Sequence, residues 1–390
     1  PPPPPHAPPP PPPPPPLPPS PPPDIHPLSE SSAASDVYKR QGEDGAVTLD
    51  WIGEQPWFDG RLAMWGGSYF GYTQWAVAAS APPFLKAIVP IVTSTDFHGF
   101  FYPGGAFSLI SALRWAAGNG ERRSVRVSER RLPAASRERP MRGATRALGR
   151  PARFFEDWTD HPHLDDYWKK INLPEALETS RIPTLSVAGT YDIFCGVQIA
   201  DYCARRDSTW LDLGPFAHGN YAISPRRLGW KKAGIARILS SSLGFLDHHL
   251  HGIDLVRARV RRYVQGTDRW VEEEDWPPPQ ATRERFYLRS GGRLDREVPG
   301  GDEEPDRYRY NPTDPVPTRG GTFLGPRCGP QDQRPLEGRR DILFYETAPL
   351  SRPLEIAGPV RLRLFASTDA PATDFSGKLV HVPADWRRPA

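Results

Sequence analysis

"LAMWGGSYFGYTQW", residues 62–75, decides how this chain is read. An apolar run from Leu62 to Trp65 meets two glycines and a single serine, then continues through small and aromatic residues. The first half reads as a buried strand and the second as a helix, which puts Ser68 on a sharp strand-to-helix turn. Such a turn crowds its own backbone and tolerates little side chain two residues before the serine or a few after it. Gly66 and Gly71 meet that need, with Gly67 completing the turn before the serine, although the second flanking glycine stands three residues after Ser68 rather than two. A nucleophilic serine is one reading; an ordinary glycine-rich turn is the other.

Working outward, "DGAVTLDWIGEQPWFDG" predicts a short helix ending near Pro56, and "LKAIVPIVTST" a second continuous apolar strand. The same texture returns at "RIPTLSVAGTYDIF" (181–194) and "STWLDLGPFAHG" (208–219). Between and after them, "GVQIADYCARR" and "KKAGIARILSSSLGFLDHHLHG" predict helices, the second closed by Gly252. Apolar strands alternating with helices predict an α/β architecture whose parallel sheet is covered on both faces. Residues 99–168 lose the strand rhythm, as an insertion would. Beyond Val256, short alternating runs such as "VRARVRRYVQG", "DILFYETAPL" and "VRLRLFASTD" predict a β-sandwich or jelly roll, expected to stop before it is complete.

An acyl-transfer serine needs a base, and the base an acid to hold its tautomer. Asp192 follows the strand "TLSVAG" and His218 the strand "WLDLG", in the order serine, acid, histidine, at the strand ends where open parallel sheets place their chemistry. Asp201 and Asp212 are weaker rivals for the acid. His98 rivals His218 but follows the serine's strand too closely. A turn carboxylate and a loop histidine are the plain alternatives for Asp192 and His218.

Composition bounds the rest. Of 390 residues 50 are proline, against a usual share of about 5%, and 20 of these fall in the first 27 positions. Pro8 to Pro16 predicts a polyproline II rod, and residues 1–42 are expected to be a disordered, non-native lead-in. Residues 121–153 hold 11 arginines against 3 glutamates, leaving the remainder acidic on balance. The run has no interleaved aromatics for base stacking, which argues against a nucleic-acid partner. With arginine outnumbering lysine 42 to 7, part of this run is expected to be an aberrant, frame-shifted segment. Cys195, Cys203 and Cys328 lack metal-ligand spacing, and His248, His249 and His251 read as the close of a helix, so no metal is expected. No apolar stretch is long enough to span a membrane, and no leader is legible; a cytoplasmic location is the expectation.

"WGGSYFGYTQW", "GTYDIF", "GPFAHG", "FLDHHLHG" and "GPQDQRPLEGRRDILFYETAPLSRPLEIAGPVRLRLFASTDAPATDFSGKLV" together closely resemble the CocE/NonD hydrolases, relatives of Xaa-Pro dipeptidyl peptidases. The resemblance implies an α/β-hydrolase core over 43–98 and 169–255, lacking its first strands. It also implies a helical cap over 99–168 and a C-terminal jelly roll over 256–390. It makes Ser68 the nucleophile within G-x-S-Y-x-G, Asp192 the acid, His218 the base, and the Tyr69 backbone N–H an oxyanion donor. A second donor, a tyrosine hydroxyl from an upstream loop, has no match, so this chain is expected to be an impaired fragment of an active parent. Trp65, Trp158, Tyr191 and Phe216 are candidates for the substrate pocket. Trp75, Trp115 and Trp168 are further aromatics equally suited to core packing. Asp157, Asp160, Asp165 and Asp166 suggest either an α-amine site or a solvated acidic loop. The implied substrate is a small acyl ester, amide or peptide, with no cofactor, no membrane partner, and a homo-oligomer left open. A proline-rich interaction protein carrying a β-sandwich is the rival from another class.

Overall fold

The computed structural model describes residues 33–119, 129–218, 234–267, 269–325 and 327–383. The expected polyproline rod and the start of the arginine run lie outside them.

Five strands form a parallel sheet in chain order: β1 (Leu62–Gly67), β2 (Leu85–Ile91), β3 (Thr184–Gly189), β4 (Thr209–Gly214) and β5 (Val260–Val264). The sixth, β6 (Arg269–Glu273), runs antiparallel to β5. β5 and β6 lie beyond residue 255, where the sequence reading closes the core, yet they complete the same sheet. Their alternating pattern suggested a sandwich because an antiparallel edge pair, turned here at Gly266 with φ 84°, has the same period-two signature.

Three helices flank the first strands and run in the order α1 (Ala33–Gly53), α2 (Tyr69–Ala78) and α3 (Phe97–Phe101). The insertion continues through α4 (Leu109–Asn119), α5 (Leu132–Ala135), α6 (Ala144–Ala147), α7 (Arg153–Asp160), α8 (Asp166–Lys169) and α9 (Pro174–Glu178). Then α10 (Cys195–Ala204) joins β3 to β4, and α11 (Ile235–His251) precedes β5. Ala87, Val89 and Ile91 of β2 pack with Ile238 and Phe245 of α11, whereas Leu85 and Ile88 face Leu49 of α1 and Trp75 of α2. Every residue of β3 is buried. Two covered faces therefore explain the continuous apolar runs. α11 ends at Gly252 in the left-handed conformation, φ 72°.

Two expectations are corrected here. Residues 33–42, placed in the disordered lead-in, are the first half of α1. That helix lies so close to α2 that a Cβ on Gly45 would sit 2.3 Å from Val77 Cγ1, so tertiary packing overrides the weak local signal. Residues 129–153 of the arginine run are likewise built into the cap. Leu132, Ala135, Ala144, Leu148 and Ala152 are buried in one cluster with Phe155 and Trp158, while Arg142 and Arg146 reach Glu156 at the surface. Arginine content hid an apolar set whose spacing spans several short helices.

Of the β-rich C-terminal region, β7 (Tyr287–Arg289) and β8 (Arg293–Asp295) form a hairpin. Residues 347–383 carry no paired strand, and their apolar side chains stand open, Phe365 at 98% exposure. Alternation marks strand-forming capacity, but a ladder needs a neighbour to supply it.

Candidate active site

Ser68 follows β1 with φ 57° and ψ −123°, and it shares positive φ with only Val92 among described non-glycine residues. Holding a serine there costs about 1–3 kcal/mol, a strain typical of functional sites. The flanking glycines have direct steric reasons. A Cβ on Gly66 would lie 2.7 Å from Phe70 Cβ, and one on Gly71 would lie 2.4 Å from Thr93 Cγ2. Gly71→Ala is accordingly expected to lose about 1–3 kcal/mol in urea unfolding through overpacking. An unchanged midpoint would show that the turn has room for the added methyl.

Asp192 follows β3, and its carboxylate is wholly buried. One oxygen accepts the Phe194 N–H at 2.8 Å, and the other lies 2.9 Å from His218 Nδ1. His218 follows β4, and its Nε2 lies 2.8 Å from Ser68 Oγ. The acid and base loops are laced together, with the Thr190 N–H donating to the Gly214 carbonyl at 2.8 Å and the Tyr191 N–H to the Phe216 carbonyl at 2.9 Å. Hydroxyl, imidazole and carboxylate thus form one continuous relay at the C-terminal edge of the sheet.

The rivals are engaged elsewhere. Asp212 pairs with Arg257 at 2.6 Å and accepts from Ser241. His98 Nε2 meets the Pro162 carbonyl at 3.1 Å. Asp201 accepts from the Thr95 N–H at 3.0 Å and the Thr95 hydroxyl at 2.7 Å. Burial pushes the Asp201 carboxyl up to about 7 against those hydrogen bonds. The native chain therefore keeps a proton that the unfolded chain releases near 3.8, so this stability is complete below 3.8 and is lost as pH rises toward 7. Asp201→Asn should flatten that decline in urea midpoints measured across this range; an equal slope in the variant contradicts the assignment.

Beside the relay lies a partly open, apolar cleft. Tyr69 and three α3 side chains, Phe97, Phe100 and Phe101, form one side of it. Ile193 and Phe194 of the acid loop, Ser111 and Trp115 of α4, and Leu324 complete the lining with Ser68 and His218. The four expected pocket residues are not among them, which corrects that expectation. Trp65 stands on the sheet edge, 46% exposed, and Trp158 is sealed in the cap core. Tyr191 turns outward to Gln265 at 2.5 Å. Phe216 is wedged beneath both loops, so close that a Cβ on Gly214 would strike its ring. Among the tryptophans considered, Trp115 alone lines the cleft. The α3 phenylalanines were visible as a local cluster, "DFHGFF", and could have been weighed; Leu324 had no sequence signal tying it to a serine 256 positions away.

A parallel sheet with helices on both faces, a serine on a strained strand-to-helix turn, and a carboxylate and an imidazole after later strands are the features of an α/β-hydrolase fold. Residues 30–220 match the X-Pro dipeptidyl-peptidase (S15 family) profile, and residues 256–389 match the X-Pro dipeptidyl-peptidase C-terminal non-catalytic domain. The chain is 37% identical to cocaine esterase of Rhodococcus sp. (strain MB1 Bresler) over 383 residues, 88% of this chain and 66% of that one. An aminopeptidase from a marine sediment Thaumarchaeota archaeon superposes with TM-score 0.66 at 25% identity, over 82% of this chain and 57% of its own. An α-amino acid ester hydrolase gives 0.65 at 23% identity with the same coverages, a likeness of fold. The chain belongs to the X-Pro dipeptidyl-peptidase (S15) family, with that family's C-terminal non-catalytic domain following the hydrolase fold. It spans two thirds or less of the length of each of these relatives. Among the described residues, no helix is long and apolar enough to cross a membrane.

Proposed function

We propose that the chain hydrolyses small esters with apolar acyl groups through an acyl-enzyme on Ser68. The observation that carries this is the 2.8 Å and 2.9 Å relay opening onto an apolar cleft. In this reading His218 Nε2 takes the Ser68 proton as Oγ attacks the ester carbonyl. Asp192, held by the Phe194 N–H, fixes the tautomer and steadies the imidazolium. The Tyr69 backbone N–H, at the start of α2, meets the developing oxyanion where the helix dipole is positive. The alcohol leaves with the proton carried by His218, and water, activated by the same imidazole, releases the acid.

Esters are favoured over dipeptides by the lining. No carboxylate lines the cleft among the described residues, so a free α-amine would lack a counter-charge there. Of the four cap carboxylates weighed for that role, three pair elsewhere, Asp160 with Arg142, Asp165 with His161 and Asp166 with Lys169, and Asp157 does not line the cleft. The cocaine esterase relative is named for an ester substrate, which agrees. Comparing p-nitrophenyl butyrate and benzoate with Ala-Pro-p-nitroanilide tests the reading. Ester turnover is expected to dominate; faster cleavage of the anilide would overturn it.

A further inference from the structure

Leu324 reaches the cleft from outside the hydrolase core and cap. It belongs to a loop closed on itself by paired hydrogen bonds between Gly321 and Gly329, at 2.8 and 2.9 Å. The loop lies across α4, which grips the Leu324 peptide at both polar ends. The Leu324 N–H donates to Ser111 Oγ at 3.2 Å, and Arg114 Nη1 donates to the Leu324 carbonyl at 2.9 Å. The Arg114 guanidinium also covers the Phe323 ring at 5.6 Å and pairs with Glu129 at 2.7 Å. A Cβ on Gly325 would sit 2.5 Å from Arg114 Nη1, so the glycine is what lets the guanidinium approach.

This grip is built for position rather than for stability alone. Glu129 is 61% exposed, so its pair with Arg114 contributes little beyond orientation. The Arg114 side chain, by contrast, is only 17% exposed, and a planar fork held by a carboxylate on one edge presents its other edge in a fixed direction. That edge carries the carbonyl of Leu324, whose residue lines the cleft. A wall held at both its N–H and its C=O cannot slide along the helix to admit a longer chain.

We propose that Arg114 is a positioning residue that sets acyl-chain selectivity by fixing Leu324 against the cleft beside Ser68. The inference rests on the ester-hydrolase reading for its kinetic consequence and on the Ser111 and Arg114 hydrogen bonds for the grip itself, and the two are tested separately. The first measurement is kcat/KM for p-nitrophenyl octanoate relative to acetate. Leu324→Ala should raise that ratio about tenfold or more, the scale set by a methylene or more of pocket space. Arg114→Ala should raise it in the same direction, chiefly through KM, with Arg114→Lys between it and the parent. The double variant should match Leu324→Ala, because Arg114 acts through Leu324. An unchanged ratio in Arg114→Ala, or independent, multiplying effects in the double variant, overturns the proposal. The second measurement needs no turnover: hydrogen exchange at the Leu324 amide should quicken at least tenfold in Arg114→Ala, with β3 amides unaffected. Unaltered exchange at Leu324 overturns the proposal even if no ester is hydrolysed, while loss of protection with no esterase activity in the parent chain condemns the substrate reading alone.

Discussion

Ser68→Ala is expected to lower ester turnover by about 10⁶, to the level set by binding and oxyanion contacts alone. The size follows from the relay: with Oγ gone, His218 Nε2 faces a methyl group and no acyl-enzyme forms. The fold should persist, since the serine hydroxyl makes its contact with His218 and its backbone N–H is held by the Ile91 carbonyl at 2.8 Å, which alanine keeps. Steady-state rates beside a thermal melt separate the two. A fall below about tenfold in a folded variant would assign the chemistry to another group.

Asp192→Asn is expected to cost about 10⁴ in kcat with the fold intact. The carboxylate is fully buried and accepts from both the Phe194 N–H and His218 Nδ1. An amide in its place can turn its NH₂ toward Nδ1, which leaves the ring proton on Nε2, the wrong tautomer to receive the serine proton. The loss should appear in kcat and not in KM, because Asp192 does not line the cleft. His218→Ala should fall as far as Ser68→Ala, and pairing the two should add almost nothing, since the three groups act as a unit. Losses that multiply would mean the residues work independently.

The parts legible in the sequence are those fixed by neighbours in the chain. Ser68, Asp192 and His218 each sit within four residues of the end of a short, mostly apolar strand, so strand and site residue are found together. The parallel core was legible for the same reason. What escaped notice depends on contacts between distant segments. Phe216 is a pocket candidate in the sequence, but the crossing of Gly189 and Gly214 leaves its ring no room except beneath them. Trp158 was read from its aromaticity alone and is consumed by the cap core with Phe101 and Trp168. The pocket walls come from α3, α4 and Leu324, segments that only the folded chain brings together. Residues 129–153 show the converse error, where composition was taken for structure although small apolar residues every few positions were enough to pack the cap.

The most direct test of the central claim is covalent labelling of the intact chain with a fluorophosphonate, followed by mass spectrometry of the tryptic peptide spanning residues 62–86. The account predicts one phosphonate per chain, placed on Ser68, absent from Ser68→Ala and slowed by orders of magnitude in His218→Ala. A folded chain that hydrolyses esters yet carries its label on another residue, or takes none, contradicts it.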